Sequence, residues 1–165
     1  MKKLMLSLFL LGLTTQIFAQ DPKILPEVFI VHNYKYLSSA NTGEIAIPVK
    51  ELQIKVSDFD VKELDVYADE HDLYDVYFFI PEGKVLASYD KDSNLLRTAE
   101  RYKNINLPST VLTAVKRRFP NWSISKNLYL VNFHESGNMK KLYKLVLENG
   151  EQRIRVKVDE YGDFL

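Results

Sequence analysis

The stretch YDVYFFIPEGKVLASYDKDSNLL (74–96) lies without a gap over YKLVLENGEQRIRVKVDEYGDFL (143–165). Tyr74 then matches Tyr143, Asp90 matches Asp159, and Leu95-Leu96 match Phe164-Leu165. Upstream, IPVKELQIKVSDF (47–59) matches LPSTVLTAVKRRF (107–119), with Pro48, Leu52 and Phe59 falling on Pro108, Leu112 and Phe119. Recurrence of this kind restricts the chain to folds that use one supersecondary unit twice.

The unit itself is clearest in the second copy. Pro108 suits the first turn of a helix, where its missing N–H is no loss. Val111, Leu112, Val115 and Phe119 follow as one apolar stripe. Lys116, Arg117 and Arg118 complement the dipole of the last turn, and Pro120 ends the hydrogen-bond ladder. Trp122 is expected to pack where the chain turns into its first strand. Segments 122–133, 141–148 and 152–159 then have strand character. In the last of them Ile154, Val156 and Val158 alternate with Arg153, Arg155 and Lys157, which marks a half-buried antiparallel strand.

In the first copy the spacing predicts a helix over 48–58 and strands over 74–80, 84–89 and 95–102. EVFIVHNYKYL (27–37) reads as an additional strand and SSANTG (38–43) as a surface loop. The expected fold is therefore α+β: a first unit over 47–102 and a second over 107–165, each a helix packed on one face of an antiparallel meander, preceded by an N-terminal strand and loop over 20–46.

The first residues stand apart from this pattern. MKKLMLSLFLLGLTTQIFAQ has two early lysines, an apolar run from Leu4 to Leu13, and Ala19 before Gln20. That order predicts a secretory signal peptide over 1–19, cleaved between Ala19 and Gln20. The apolar run is shorter than the roughly 20 residues of a membrane-spanning helix, so the expected setting is periplasmic or secreted, without stable membrane insertion. The chain has no cysteine, which rules out disulfides and thiol-based metal sites. Its formal net charge is zero, whereas nucleic-acid binders carry a basic footprint. The charge is unevenly spread: 21–106 hold 10 Lys/Arg against 16 Asp/Glu, while 107–165 hold 10 against 6.

LPSTVLTAVKRRFPNWSISK, KLYKLVLENG and RVKVDEYGDFL together resemble the PepSY-like (BLIP-like, β-lactamase-inhibitor-like) domains of secreted Bacteroidetes proteins. That pattern has Leu-Pro before a short helix, an aromatic-Pro pair closing it, and a final strand of the form v-DxxGxfl. The resemblance covers 107–165 well and 47–102 more loosely. The first copy departs from it at Phe59-Asp60, where a proline is expected, and at Ser93, where a turn glycine is expected. The resemblance implies a tandem, non-enzymatic module that binds another protein or peptide, in some relatives as an inhibitor of a peptidase or a β-lactamase. A structural subunit of a cell-envelope assembly is the alternative.

No motif with its own chemistry competes with this. Nucleotidyl transfer by an adenylyltransferase would need a His-x-Gly-His motif, and His32, His71 and His134 all lack that context. There is neither a glycine-rich phosphate loop nor a GxSxG elbow. DKDSN (90–94) offers alternate oxygen ligands, but an EF-hand requires glycine at the sixth position and glutamate at the twelfth. Leu95 and Arg101 stand there. No catalytic residue, metal ligand or cofactor is implied.

Two charged features remain. Asp58, Asp60, Glu63, Asp65, Asp69, Glu70, Asp72 and Asp75 form an acidic stretch broken only by Lys62. With Asn149-Gly150 as a two-residue turn, opposed residue numbers in the last hairpin sum to 299. Leu145 then faces Ile154, Val146 faces Arg153 and Lys144 faces Arg155. Lys144, Arg153, Arg155 and Lys157 form a basic patch away from the core, where opposed like charges are unfavourable. Glutamates on a neighbouring strand, or the acidic first half, lying over this patch are the internal explanations; an acidic or carboxylate-bearing partner is the external one.

Overall fold

The structure, a computed structural model, describes residues 33–165. The signal segment, His32 and the 27–32 part of the expected N-terminal strand lie outside the described residues. The element order is α1 (Tyr34–Ala40), α2 (Ile47–Ser57), a 3-10 turn (Val61–Glu63), β1 (Tyr74–Ile80), β2 (Gly83–Tyr89) and β3 (Leu95–Lys103). α3 (Ser109–Arg118), β4 (Ser123–His134), β5 (Met139–Asn149) and β6 (Gln152–Asp159) complete it. A helix followed by three strands therefore occurs twice, and the class is α+β.

All six strands belong to one antiparallel sheet in the order β1-β2-β3-β4-β5-β6. The first three strands join the last three at β3 and β4, where Glu100 pairs with Val131 and Tyr102 with Tyr129. Inward positions of every strand join the buried faces of the helices in one cluster: Val49, Leu52 and Val56 of α2, Val111 and Val115 of α3, and Val85, Tyr102, Val131, Leu145 and Val158 of the sheet.

Residues 34–37 are helical, not the strand expected over 27–37. Asn33 turns the chain with a left-handed φ of 57°. Its amide donates to the Ser57 and Ser93 carbonyls at 2.9 and 3.2 Å, and its Oδ1 accepts from the Leu95 N–H at 2.6 Å. Beyond this junction Tyr36 and Ala40 are buried at helical i, i+4 spacing. In α3, Pro108 is the N-cap instead of a first-turn residue, and the buried stripe is Val111, Ala114 and Val115. Leu112 remains 37% exposed at the edge of the stripe. Trp122 is half-buried and sits edge-on to Phe119, with ring centroids 6.3 Å apart.

Internal recurrence is visible atom by atom in two loops. Asp90 Oδ1 accepts from the N–H groups of Asp92 and Asn94, and the Asp90 N–H donates to the Asn94 carbonyl. Asp159 Oδ1 accepts from Tyr161 and Asp163, and its N–H donates to the Asp163 carbonyl. The fourth residue of each loop is left-handed: Ser93 with φ 63° and Gly162 with φ 89°. After each loop the chain pairs back onto the strand it left, Leu95 with Tyr89 and Phe164 with Val158. Both DKDSN and DEYGD are thus backbone-satisfying turns.

The match at 74–96 and 143–165 places β1 on β5 and β2 on β6. β3, by the same match, corresponds only to the C-terminal residues 164–165. β4 has no strand as its counterpart; residues 59–73 hold the 3-10 turn in its place.

Candidate binding face

The sheet has two unlike faces. Inward, Glu100 is 3% exposed and accepts four hydrogen bonds: from Tyr36 and Thr98 on one oxygen, and from Gln53 and Tyr102 on the other, all between 2.8 and 2.9 Å. Burial raises its carboxyl above the usual range, while hydrogen bonds from Gln53, Tyr102, Thr98 and Tyr36 oppose that shift. Burial and the neighbouring Glu100 carboxylate also push the Tyr36 hydroxyl well above its ordinary value. This enclosed junction ties α1 and α2 to β3.

Outward, the central strands carry a different population. β3 contributes Arg97, Arg101 and Lys103, and β4 contributes Lys126, Leu128 and Leu130. β5 contributes Lys140, Leu142, Lys144 and Val146, and β6 contributes Arg153, Arg155 and Lys157. Register fixes how these meet. Lys103 pairs with Leu128, Leu128 with Lys144, and Lys144 with Lys157; Arg101 pairs with Leu130 and Leu130 with Leu142. Apolar side chains therefore floor the middle of the face, with bases on the β3 and β6 sides. An open concavity of about 420 Å³ lies here, lined by Arg101, Lys103, Lys126, Lys144, Arg155 and Lys157 around Leu128, Val146 and Val156. No carboxylate lines it.

The pairing of the last hairpin corrects the expected one. Opposed numbers sum to 301, not 299: Lys144 faces Lys157, Leu145 faces Val156 and Val146 faces Arg155. The turn is centred one residue later, on Gly150-Glu151. Gly150 alone takes a positive φ, 57°, the pattern of a type II′ turn with glycine first. A shift of two leaves every side chain on the face it was assigned. The basic patch therefore survives the correction, and its like-charge contact becomes Lys144 against Lys157.

Of the four basic residues singled out in the sequence, Arg153 is neutralised by Glu148 at 2.6 Å. Lys144, Arg155 and Lys157 are exposed and have no ion-pair partner among the described residues. The acidic stretch contacts none of these three: Asp75 pairs with Arg97 of β3 at 3.9 Å, Tyr67 donates to Asp69 at 2.8 Å, and Lys62, the one base in the stretch, pairs with Asp92 at 3.5 Å. Among the described residues it does not cover the basic face. Arg101, Lys103 and Lys126 were not singled out in the sequence, because only the meeting of β3 and β4 in one sheet brings them beside β5 and β6.

His71 lies edge-on to Tyr74, and His134 closes its own turn through the Ser136 N–H at 3.3 Å. No group of three or more His, Asp or Glu is placed to hold a metal among the described residues. No helix among them is long and apolar enough to cross a membrane. Comparison with family models and with curated proteins finds no match to this chain.

Proposed function

We propose that the protein is a non-enzymatic binding module, secreted or periplasmic, that recognises an acidic protein or peptide on the outer face of its sheet. The observation that carries this reading is Lys144, Arg155 and Lys157 standing exposed and unpaired around an apolar floor. Folding gives these charges no compensation, and opposed like charges are unfavourable. An anionic partner relieves the repulsion, while Leu128 and Val146 give it apolar surface to bury. The PepSY-like resemblance and the signal-like residues 1–19 support the same reading from the sequence. Inhibition of an envelope peptidase is one form such binding could take.

The test is capture of envelope proteins by the wild type and by a Lys144→Glu/Arg155→Glu variant. A partner retained by the wild type, released by salt and lost from a variant of unchanged melting temperature supports the reading. Equal capture by both, or by neither, removes it.

A second reading, a structural subunit of an envelope assembly, is favoured by the open edge of β1. Light scattering across a concentration series separates an assembling protein from a lone monomer.

A further inference from the structure

The two edges of the sheet are built differently. β6 carries Arg153, Arg155 and Lys157 at alternate positions, and its end is covered by the chain terminus: Phe164 bridges Val158, and the Leu165 N–H donates to the Lys157 carbonyl at 3.0 Å. Charges and a covering segment are the usual protections of an edge strand. β1 has neither. Its ladder runs only to β2, and residues 74–80 have no backbone partner on their other side among the described residues. Asp75 is its one charge, and no proline or bulge interrupts it. Tyr77 and Phe79 point outward, 55% and 68% exposed, with their rings stacked at a centroid distance of 6.0 Å. Leu73 and Val66 add further exposed apolar surface nearby in the chain.

We infer that β1 pairs edge to edge with β1 of a second copy, antiparallel about a two-fold axis at Tyr77. In this register Tyr77 lies opposite its own copy, and Val76 opposite the second copy's Phe78. Asp75 lies opposite the second copy's Phe79, whose neighbour on β2 is Lys84. Asp75, the only charge on the edge and already paired with Arg97 of its own sheet, thus gains a second basic neighbour, twice by symmetry. Val76 and Phe78, half-buried in one copy, continue the inward apolar row into the other. The contact is closed, because each copy spends on it the one unprotected sheet edge among its described residues. A dimer results, not a fibre. This association is independent of the basic outer face.

The chain contains no cysteine, so one introduced thiol reports the register directly. Opposed residues of an antiparallel pair have Cα atoms about 4.5–5.5 Å apart, within the span of a disulfide. Tyr77→Cys in the full chain should give a disulfide-linked dimer under mild oxidation. Phe79→Cys should not, since two residues of offset on each strand put its copies roughly 13 Å apart along the edge. Light scattering should show a concentration-dependent dimer for the wild type and at least tenfold weaker association for Tyr77→Lys, which sets two like charges face to face. Circular dichroism establishes that Tyr77→Lys is folded. Lys144→Glu/Arg155→Glu should dimerise like the wild type. Cross-linking through both cysteines, through neither, or through Phe79→Cys alone overturns the pairing. So does a wild type that stays monomeric at about 100 µM, or a dimer abolished by the outer-face reversal.

Discussion

The Tyr36 hydroxyl donates to Glu100 at 2.8 Å, joining α1 to the middle of β3 across 64 residues. The carboxylate at the centre of this link is held above its ordinary range by burial. The folded state therefore keeps a proton through a pH interval in which the unfolded chain has released it. Stability must fall as pH rises through that interval, and the loss persists above it. Glu100→Gln should flatten this part of the stability–pH curve. Glu100→Leu leaves four donors without an acceptor; at about 1–3 kcal/mol for each buried unpaired group, it should cost at least about 4 kcal/mol. Urea melts from pH 4 to pH 8 would refute the account if wild type and Glu100→Gln gave parallel curves.

The two equivalent loops should respond oppositely to their fourth residue. Gly162→Ala puts a Cβ at a φ of 89°, 3.1 Å from Ala114 Cβ and 3.3 Å from the Thr110 carbonyl. A left-handed L-residue alone costs about 1–2 kcal/mol, so a loss of about 2 kcal/mol is expected. Ser93→Gly relieves the same strain but removes the hydroxyl that accepts from the Val61 N–H at 3.0 Å and donates to Asp60 at 2.6 Å. With each hydrogen bond contributing about 1 kcal/mol, the net change should be a small loss. A gain in stability from Ser93→Gly would show that strain outweighs both bonds.

Lys141 is a buried cation on the inward face, bound to Glu160 at 2.9 Å and to the Ala40 carbonyl at 3.2 Å, with a short contact to the Thr42 hydroxyl. It fastens the loop after α1 to the loop after β6. Removing one partner of a buried pair costs about 3–5 kcal/mol. Lys141→Met should fall near the lower end, since Glu160 is partly exposed. Lys141→Met/Glu160→Gln should lose clearly less than the sum of the two single changes. Additive losses in chemical denaturation would mean that the pair is not coupled.

Lys157→Glu exchanges an opposed pair of like charges for one of opposite charges. A gain of a few tenths of a kcal/mol is expected, shrinking as salt is added. The same change should weaken any acidic partner, so stability and binding move in opposite directions. Parallel movement in thermal melts and binding titrations would contradict the assignment of this face.

Much of this architecture is written in local pattern. Alternation in 152–158, the Asn-Gly turn and the prolines at 108 and 120 place their elements within a residue or two. The repeat even locates Ser93 as the odd member of its turn. What escaped depends on long-range pairing. Glu100 reads as an ordinary strand glutamate. A bulge opposite Ser88 and Tyr89 shifts the phase of β3, so that Leu95 and then Thr98, Glu100 and Tyr102 point inward. α1 was hidden because YKYLSSA has tyrosines that suit a strand, while its helical signal rests on Tyr36 and Ala40 alone. Lys144, Arg155 and Lys157 could be found from alternation; their companions on β3 and β4 could not, since no local signal joins the halves into one sheet.

Every strand in this sheet pairs only with its immediate neighbours in the chain. Such a sheet can grow in the order of the polypeptide, each new strand closing on an edge already formed, with little chain entropy lost per step. β1 is then the oldest edge and β6 the newest. Growth from β1 onward repeatedly covers the advancing edge and finally seals it with charges and the C-terminal residues. Among the described residues it never returns to cover the strand on which it began.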